Sequence, residues 1–283
     1  MTYKECFTYG VEELTKAGVP DAEIDARMLL EFICHTTRHD MILYPQRPVT
    51  NEQQKEYEDA IARRSSRIPL QHITGEQSFM GFDFFVNEHV LIPRQDTEVL
   101  VETVLSYLKP ESDILDMCTG SGCILLSLLA MGKACHGIGA DISADALQVA
   151  IKNKARISEQ CQKELEAAFI ESNLFTAIES GKKFDVIVSN PPYIASAVID
   201  SLEPEVRLHE PMQALDGTAD GLYFYRKIIQ ESRSFMKEQA GLFFEIGYDQ
   251  AEAVAELMKE AGFTNVTVKQ DYAGLDRVVY GFI

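Results

Sequence analysis

The sequence predicts an α/β protein in which a small helical domain and a β-hairpin precede a larger domain with a seven-stranded, mainly parallel sheet. Three observations support this fold class. The first 75 residues show helical periodicity alone, an aromatic-rich segment follows, and strand and helix patterns alternate from Asp96 onward. We therefore place the domain boundaries at residues 1–75, 76–95 and 96–283.

The composition is that of a globular protein with a strong acidic excess. Of 283 residues, 46% are hydrophobic, and 26 basic residues face 44 acidic ones, for a formal charge of -18. This charge disfavours non-specific binding to duplex nucleic acid and suits an encounter with a basic protein surface. The sequence contains neither an apolar run of membrane-spanning length nor a secretory signal. We expect a cytoplasmic protein without membrane contact that acts as a monomer.

The helical domain shows start signals and apolar faces. Thr50 with Gln53 forms a capping-box signature for a helix that runs towards Arg67. An earlier helix starts at Asp21, and its expected apolar set is Ile24, Met28, Leu29, Phe32 and Ile33. A basic cluster near residue 67 is interpreted as a solvated helix end, with a partner-binding patch as the alternative: Arg63, Arg64 and Arg67.

Strand signals begin after the helices. Aromatic and β-branched residues punctuated by Gly81 and Asn87 predict a β-hairpin that links the two domains. Helical segments separate most of the later strands, which predicts a mainly parallel sheet, and the last two strands are close enough in sequence for an antiparallel edge pair. The expected strands are Asp113–Met117, Gly137–Ile142, Ala167–Ser172, Phe184–Asn190, Gly241–Gly247, Val266–Asp271 and Arg277–Ile283.

A glycine-containing turn follows the first of these strands. Because glycine has no Cβ, Gly120 and Gly122 allow a ligand to approach the backbone at the carboxyl end of the strand, where open α/β sheets bind ligands. Asp141 ends the next strand and is placed to accept hydrogen bonds from both hydroxyls of a ribose. A dinucleotide-binding motif has a similar beginning, but Leu125 stands where its third glycine would fall. The pattern therefore favours S-adenosylmethionine over a nicotinamide dinucleotide, which stays open as an alternative.

The segment Asn190-Pro191-Pro192-Tyr193 follows an apolar strand and carries the most specific chemistry. Two prolines fix two φ angles and remove two N–H donors, so the turn is stiff. The Asn190 side-chain oxygen and the Pro191 carbonyl can each accept one hydrogen of a planar –NH2 group, and the Tyr193 ring can cover that group. These features predict a methyltransferase that acts on an amide or amino nitrogen.

Other reactive side chains are interpreted as structural. Six cysteines at irregular spacings suit a reducing compartment and are taken as small apolar fillers: Cys6, Cys34, Cys118, Cys123, Cys135 and Cys161. A zinc site that uses three of them with His136 is a weaker alternative, so we expect no metal. His72 and His89 are taken as structural, and Glu245 as a partnered acid at a strand end.

Over essentially its whole length the chain resembles the PrmC/HemK family of protein-glutamine methyltransferases, which modify peptide chain release factors. The matching runs are Pro69–Gly75, Phe79–Gly81, Leu91–Glu98, the glycine turn, Asn190–Ile194 and Asp276–Val278. The resemblance implies a Rossmann-like, seven-stranded methyltransferase sheet after an N-terminal helical domain and a hairpin linker. The implied cofactor is S-adenosyl-L-methionine, and the implied substrate is the glutamine of a Gly-Gly-Gln loop in the release factor.

The resemblance also assigns site residues by position. It implies catalysis by Asn190, Pro191 and Tyr193, and substrate binding by the same residues with Pro192. The implied cofactor contacts are Cys118, Thr119, Gly120, Ser121, Gly122, Asp141, Asn173, Leu174 and Asn190. Four of the chain's residues depart from the family pattern: Cys118 for a glycine, Asn173 for an aspartate, Leu174 where an aromatic can stand, and Gln95 for a proline.

The Cys118 departure carries a structural expectation. A non-glycine residue at this point of the turn must either avoid a positive φ or be strained. Two further alternatives stay open at this stage: a nucleic-acid adenine methyltransferase, since an exocyclic amino group offers the same two hydrogens, and a non-catalytic binding module with the same fold.

Overall fold

The structure of the protein, a computed structural model, describes residues 1–133 and 135–283. They form two compact units. The first unit contains Met1–Gly75 and the short segment Glu203–His209, and the second contains Glu76–Leu202 and Glu210–Ile283.

The first unit is helical and has its own apolar core. Its helices are α1 (Tyr3–Lys16), α2 (Ala22–Cys34), α3 (Arg38–Leu43), α4 (Asn51–Ser65), α5 (Leu70–Thr74) and a further short helix, Pro204–His209. The predicted capping box is confirmed, because Thr50 and Gln53 exchange side-chain and backbone hydrogen bonds at the start of α4. Buried Tyr57 on α4 donates its hydroxyl hydrogen to the carbonyl of Ala26 on α2.

The predicted apolar face of α2 is wrong at three positions. Ile24, Met28 and Phe32 are 40–50% exposed, whereas Leu29 is buried as expected. The buried residues of α2 are Ala22, Asp25, Ala26, Leu29, Leu30 and Cys34. Small side chains allow this face to lie close to α1 and α4, and Asp25 can enter the core because a cation neutralises it.

That cation is Arg64, which corrects the interpretation of the basic cluster. Arg64 is 5% exposed, and its Nε donates to Asp25 Oδ2 at 2.7 Å while its Nη2 donates to Glu205 Oε1 at 2.8 Å. Arg67 donates to the same Glu205 carboxylate, and the two arginines lower the pKa of Glu205 to about 2 despite the opposing effect of burial. Of the three arginines only Arg63 is exposed, so the interpretation as a solvated helix end is correct for Arg63 and wrong for Arg64 and Arg67.

The second unit opens with a hairpin and continues with alternating strands and helices. The predicted hairpin is confirmed as an antiparallel pair of β1 (Glu76–Phe79) and β2 (Phe82–Phe85). The remaining strands are β3 (Asp113–Met117), β4 (His136–Asp141), β5 (Glu166–Glu171), β6 (Phe184–Ser189), β7 (Met236–Glu245), β8 (Thr264–Gln270) and β9 (Asp276–Phe282). The helices are α6 (Gln95–Tyr107), α7 (Cys123–Met131), α8 (Ala144–Cys161), α9 (Met212–Leu215), α10 (Tyr223–Ser232) and α11 (Ala251–Glu260).

All seven expected strands form one sheet, in the order β5-β4-β3-β6-β7-β9-β8. The pairs from β5 to β7 are parallel, and β9 is antiparallel to both β7 and β8, as expected for the last two strands. The largest difference from the expected bounds is the start of β7, which lies at Met236 instead of Gly241. Lys237 keeps this polar start within the strand because its ammonium group contacts the carboxylates of Asp113 and Asp185.

Alternate residues of the sheet supply two separate cores. Val186 and Val188 face one core, which α6, α7 and α8 cover, while Ile187 faces the other, which α10 and α11 cover. Helices on both faces bury most of the central strands, and this leaves the ends of the strands as the place for a ligand. Among the described residues, no helix is long and apolar enough to cross a bilayer.

Candidate active site

A cavity of about 640 Å³ opens at the carboxyl ends of β3, β4, β5 and β6, entirely within the second unit. Its volume is in the range of small-ligand and cofactor sites. Most of the residues assigned to the site line it: Cys118, Thr119, Gly120, Ser121, Asp141, Asn173, Leu174, Asn190 and Pro192. Of the assigned residues, Gly122, Pro191 and Tyr193 do not line it.

The glycine turn is held between two acidic residues. Thr119 donates its hydroxyl hydrogen to Asp116 Oδ2 at 2.6 Å, and the main-chain N–H of Gly120 donates to Asp141 Oδ2 at 2.8 Å. Asp116 is completely buried, and this burial raises its pKa to about 7. Its role was missed from the sequence, where a lone carboxylate inside an apolar strand was the available signal.

Cys118 adopts the strained alternative of the two that we considered. Its φ is 63°, in the left-handed region that costs a residue with a Cβ about 1–2 kcal/mol. The neighbouring Thr119 N–H donates to the carbonyl of Ala140 at 3.0 Å and fixes the turn against β4. The hydrogen bonds of the turn therefore hold Cys118 in a conformation that a glycine would adopt without strain.

Gly120 and Gly122 have different surroundings. A Cβ added to Gly120 (φ 52°) would have no protein atom within 4 Å, so this part of the backbone faces open space in the cavity. A Cβ on Gly122 (φ 78°) would lie 3.2 Å from Ala150 and 3.2 Å from Leu126. Gly122 therefore allows close packing at the start of α7, behind the cavity wall.

Asp141 connects the turn to the next helix. Its Oδ1 accepts the N–H of Ser143 at 2.9 Å, while its Oδ2 accepts that of Gly120. Burial raises the pKa of Asp141, and these N–H groups oppose the rise. Each carboxylate oxygen retains a further lone pair for a ligand hydroxyl.

The Asn190 turn begins where β6 ends. Ser189 donates its hydroxyl hydrogen to the carbonyl of Met117 at 2.6 Å, which ties the end of β6 to the end of β3. Across residues 1–133 and 135–283, neither the Asn190 side chain nor the Pro191 carbonyl accepts or donates a hydrogen bond. Asn190 lines the cavity, so its side-chain oxygen is available to a ligand. Pro191 is buried and does not line the cavity, so the structure does not bring its carbonyl to the ligand space as we expected from the sequence.

Asn173 and Leu174 follow β5 and line the adjoining part of the cavity. Ser172 holds this segment, because its N–H donates to the Asp141 carbonyl at 2.8 Å and its hydroxyl donates to the Leu174 carbonyl. Leu174 has a φ of 50°, so this turn also places a non-glycine residue in the left-handed region.

Further wall residues were not identified from the sequence. They include His89, for which the sequence predicted a structural role, and the exposed Met212 and Gln213 of α9. Arg94 and Thr97 also line the cavity, and Arg94 donates to the buried Glu210 carboxylate at 2.6 Å. Arg94 and Thr97 belong to the run Leu91–Glu98, which carries part of the family resemblance. The sequence of this run does not by itself indicate that the two residues line the cavity.

Glu245 lies at the end of β7 with 2% exposure. Burial raises its pKa to about 7, an effect that Thr97, Arg277 and Tyr193 oppose. Because the folded-state pKa lies above the ordinary value of 4.5, the stability from this group is present below about pH 4.5 and is lost as the pH rises to about 7.

This shift predicts a pH-dependent effect of Glu245→Gln. Between about pH 5 and about pH 8, the free energy of unfolding of the variant should rise relative to the parent by on the order of 2 kcal/mol. Urea unfolding at both pH values measures the difference. Glu238→Gln, an exposed change on the same strand, is the control, and a constant difference between Glu245→Gln and the parent would contradict the assigned shift.

The cavity fits S-adenosylmethionine. Asp141 has free lone pairs for ribose hydroxyls, and Gly120 leaves open space at the backbone. The Asn190 side chain also lines the cavity, and its oxygen has no hydrogen-bond partner among the described residues. Fold and site together define an α/β methyltransferase that uses S-adenosylmethionine as its methyl donor.

Comparisons with known proteins identify the family. Residues 5–75 match the PrmC N-terminal domain model, and residues 94–205 match that of the methyltransferase small domain. A release factor glutamine methyltransferase of Caulobacter vibrioides is 42% identical, over 99% of this chain and 96% of that protein. One of Agrobacterium fabrum is 41% identical, over 95% and 93%. The chain belongs to the release factor glutamine methyltransferase family.

A solved structure agrees on the fold. The crystal structure of a methyltransferase from Pyrococcus furiosus aligns with a TM-score of 0.52 over 82% of this chain and 98% of that chain. The two sequences share 14% identity, so this similarity concerns the fold alone.

Proposed function

We propose that this protein transfers a methyl group from S-adenosylmethionine to the side-chain amide nitrogen of the glutamine in the Gly-Gly-Gln loop of peptide chain release factors. The observation that carries the proposal is the Asn190 side chain, which has no hydrogen-bond partner among the described residues and borders the same cavity as Asp141. Family membership supports the same reaction and the same substrate.

The cofactor, when bound, supplies an electrophilic methyl group on a sulfonium. Asp141 would hold the ribose hydroxyls, and the other assigned contacts would come from residues 118–122, Asn173, Leu174 and Asn190. An amide nitrogen is a weak nucleophile because its lone pair is delocalised into the carbonyl. Asn190 Oδ1 and the Pro191 carbonyl would accept its two hydrogens, orient the nitrogen and stabilise the positive charge that develops on it.

Proline makes this arrangement rigid. The φ angles of Pro191 and Pro192 are fixed, so the acceptors need little reorganisation during the reaction. Pro192 would contact the substrate from the cavity wall. Tyr193 does not line the cavity and its hydroxyl contacts Glu245, so in place of the predicted cover over the –NH2 group we propose that it holds the turn. The methylated nitrogen carries a positive charge until it releases one hydrogen as a proton to solvent water, and a protonated amide is acidic enough to do so without a strong base.

For the remaining organisation we propose that residues 1–75 recognise the protein substrate, 76–95 act as a linker and 96–283 carry the catalytic domain. The acidic charge of -18 supports a basic protein surface as the partner and disfavours duplex nucleic acid. We further propose that the protein acts in the cytoplasm, because six unpaired cysteines suit a reducing compartment, and that it acts as a monomer.

Methyl transfer with labelled S-adenosylmethionine tests the function. We expect label in a purified bacterial release factor, and mass spectrometry of its peptides should place one added methyl on the glutamine of the Gly-Gly-Gln loop. Adenine-containing duplex and single-stranded DNA, offered separately, should stay unlabelled. A release factor with that glutamine replaced by alanine is the matched control, and label only in DNA would contradict the proposal.

A further inference from the structure

We propose that Gln250 is a positioning residue for methyl transfer: it fixes the main chain of Tyr193 and, through the two prolines, the orientation of the acceptors on Asn190 and Pro191. This inference rests on the proposed function of the Asn190 turn. Gln250 does not line the cavity, so it would act through Tyr193 and not on the substrate.

Hydrogen bonds define which way the Gln250 amide points. Its Oε1 accepts the main-chain N–H of Gly247 at 3.0 Å and faces the Tyr225 hydroxyl at 3.4 Å. A main-chain N–H can only donate, so the oxygen must lie on this side and the –NH2 group on the other. That –NH2 group donates to the carbonyl of Tyr193 at 2.9 Å and approaches the carbonyl of Gly221 at 3.4 Å.

Two glycines close the space around the same main chain. A Cβ on Gly221 would lie 2.3 Å from the Tyr193 carbonyl oxygen and 2.7 Å from Gln250 Nε2. A Cβ on Gly217 would lie 2.7 Å from the Tyr193 Cα. The next residue, Ile194, accepts the N–H of Gly217 at 2.8 Å. The main chain at Gly217 and Gly221 and the side chain of Gln250 thus lie against the main chain of Tyr193. A larger residue at either glycine would prevent this close approach.

The ring of Tyr193 is held at its other end. Its hydroxyl donates to Glu245 Oε1 at 3.4 Å, and the main-chain carbonyl of Glu245 accepts the Tyr225 hydroxyl at 2.9 Å. Tyr225 therefore contacts both Glu245 and Gln250. One partly buried network therefore holds the backbone and the ring of Tyr193.

The two prolines of the turn transmit this restraint from Tyr193 to the acceptors that would hold the substrate nitrogen. Pro191 and Pro192 cannot rotate about φ, and the residue before each proline is restricted to extended geometry, so a displacement of Tyr193 is passed on to Asn190 and Pro191. Misplacement of a substrate group by about 1 Å can cost about 100-fold in rate. A residue that fixes Tyr193 should therefore affect the turnover number more than substrate or cofactor binding.

The first experiment compares Gln250→Ala with the parent, using full-length protein and a purified release factor. We expect kcat to fall by about 10- to 100-fold, while KM for the release factor and the calorimetric Kd for S-adenosylmethionine change by less than about threefold. Gln160→Ala is the matched control, because Gln160 also donates to a main-chain carbonyl, that of Asp83 at 3.2 Å, away from the cavity.

A second variant separates positioning from general stability. In Gln250→Glu the ionised carboxylate can still accept from Gly247 but cannot donate to the Tyr193 carbonyl. Protonation restores a donor, so the ratio of kcat in Gln250→Glu to kcat in the parent should rise at least about twofold from about pH 8 to about pH 5, close to the ordinary glutamate pKa of about 4.3. A loss due to weakened folding alone would not follow this protonation.

The outcomes distinguish the two proposals. A parent that leaves the release factor unmethylated would overturn the proposed function. An active parent whose Gln250→Ala variant keeps kcat within about twofold would overturn the positioning role alone. Should Gln250→Ala fail to fold, the pH ratio of Gln250→Glu decides: a rise supports the role of Gln250, and a constant ratio refutes it.

Discussion

Asn190→Ala is expected to lower kcat for release-factor methylation by about 100-fold or more, with the Kd for S-adenosylmethionine within about threefold of the parent value. The substitution removes one of two acceptors that would bind the substrate –NH2 group, so the nitrogen loses its orientation and a source of charge stabilisation. Single-turnover kinetics and calorimetry measure the two effects separately.

The size of the effect follows from comparable sites in enzymes. Removal of one preorganised polar group that stabilises a transition state typically costs about 100- to 1,000-fold in kcat. Asn51→Ala, an exposed change at the start of α4, is the matched control and should behave like the parent. Equal turnover of Asn190→Ala and the parent would remove the side chain from the mechanism.

Asp141→Ala is expected to weaken S-adenosylmethionine binding by about 100-fold. The carboxylate would accept the ribose hydroxyls, and hydrogen bonds to a charged group are worth about 1.5–3 kcal/mol each. It also accepts the N–H groups of Gly120 and Ser143, so its loss loosens the glycine turn as well. Isothermal titration calorimetry of the free enzyme with the cofactor measures the effect.

The comparison with Asp59→Ala separates this effect from a general loss of negative charge. Asp59 is an exposed residue of α4 in the first unit, and its replacement should leave the cofactor Kd unchanged within about twofold. A Kd for Asp141→Ala that matches the parent value would reject the assignment of Asp141 to the ribose.

The sequence predicted the sheet well because buried strands leave a local signal. Asp113–Met117 matches β3 at both ends, since a short apolar run before a glycine turn has few other interpretations. The polar start of β7 was missed because Lys237 is accommodated there by ion pairs with Asp113 and Asp185, which are distant in sequence. The exposed side of α2 was missed for the same reason, since Asp25 is buried only because Arg64 reaches it.

The site was predictable where one motif contains both the backbone turn and the polar group. The glycine turn, Asp141 and Asn190 meet this condition, and all border one cavity. Thr97 and Met212 also line the cavity, but no local motif predicts this. They belong to α6 and α9, which only the tertiary fold brings to the cavity. Gln250 likewise became visible only through its contact with the Tyr193 carbonyl.

The most direct test of the account is a crystal structure with S-adenosylhomocysteine and a peptide that contains the Gly-Gly-Gln loop. The glutamine nitrogen should lie about 2.9 Å from both Asn190 Oδ1 and the Pro191 carbonyl oxygen, with the ribose at Asp141. A glutamine side chain bound elsewhere, or one whose nitrogen contacts neither acceptor, would contradict the proposed mechanism.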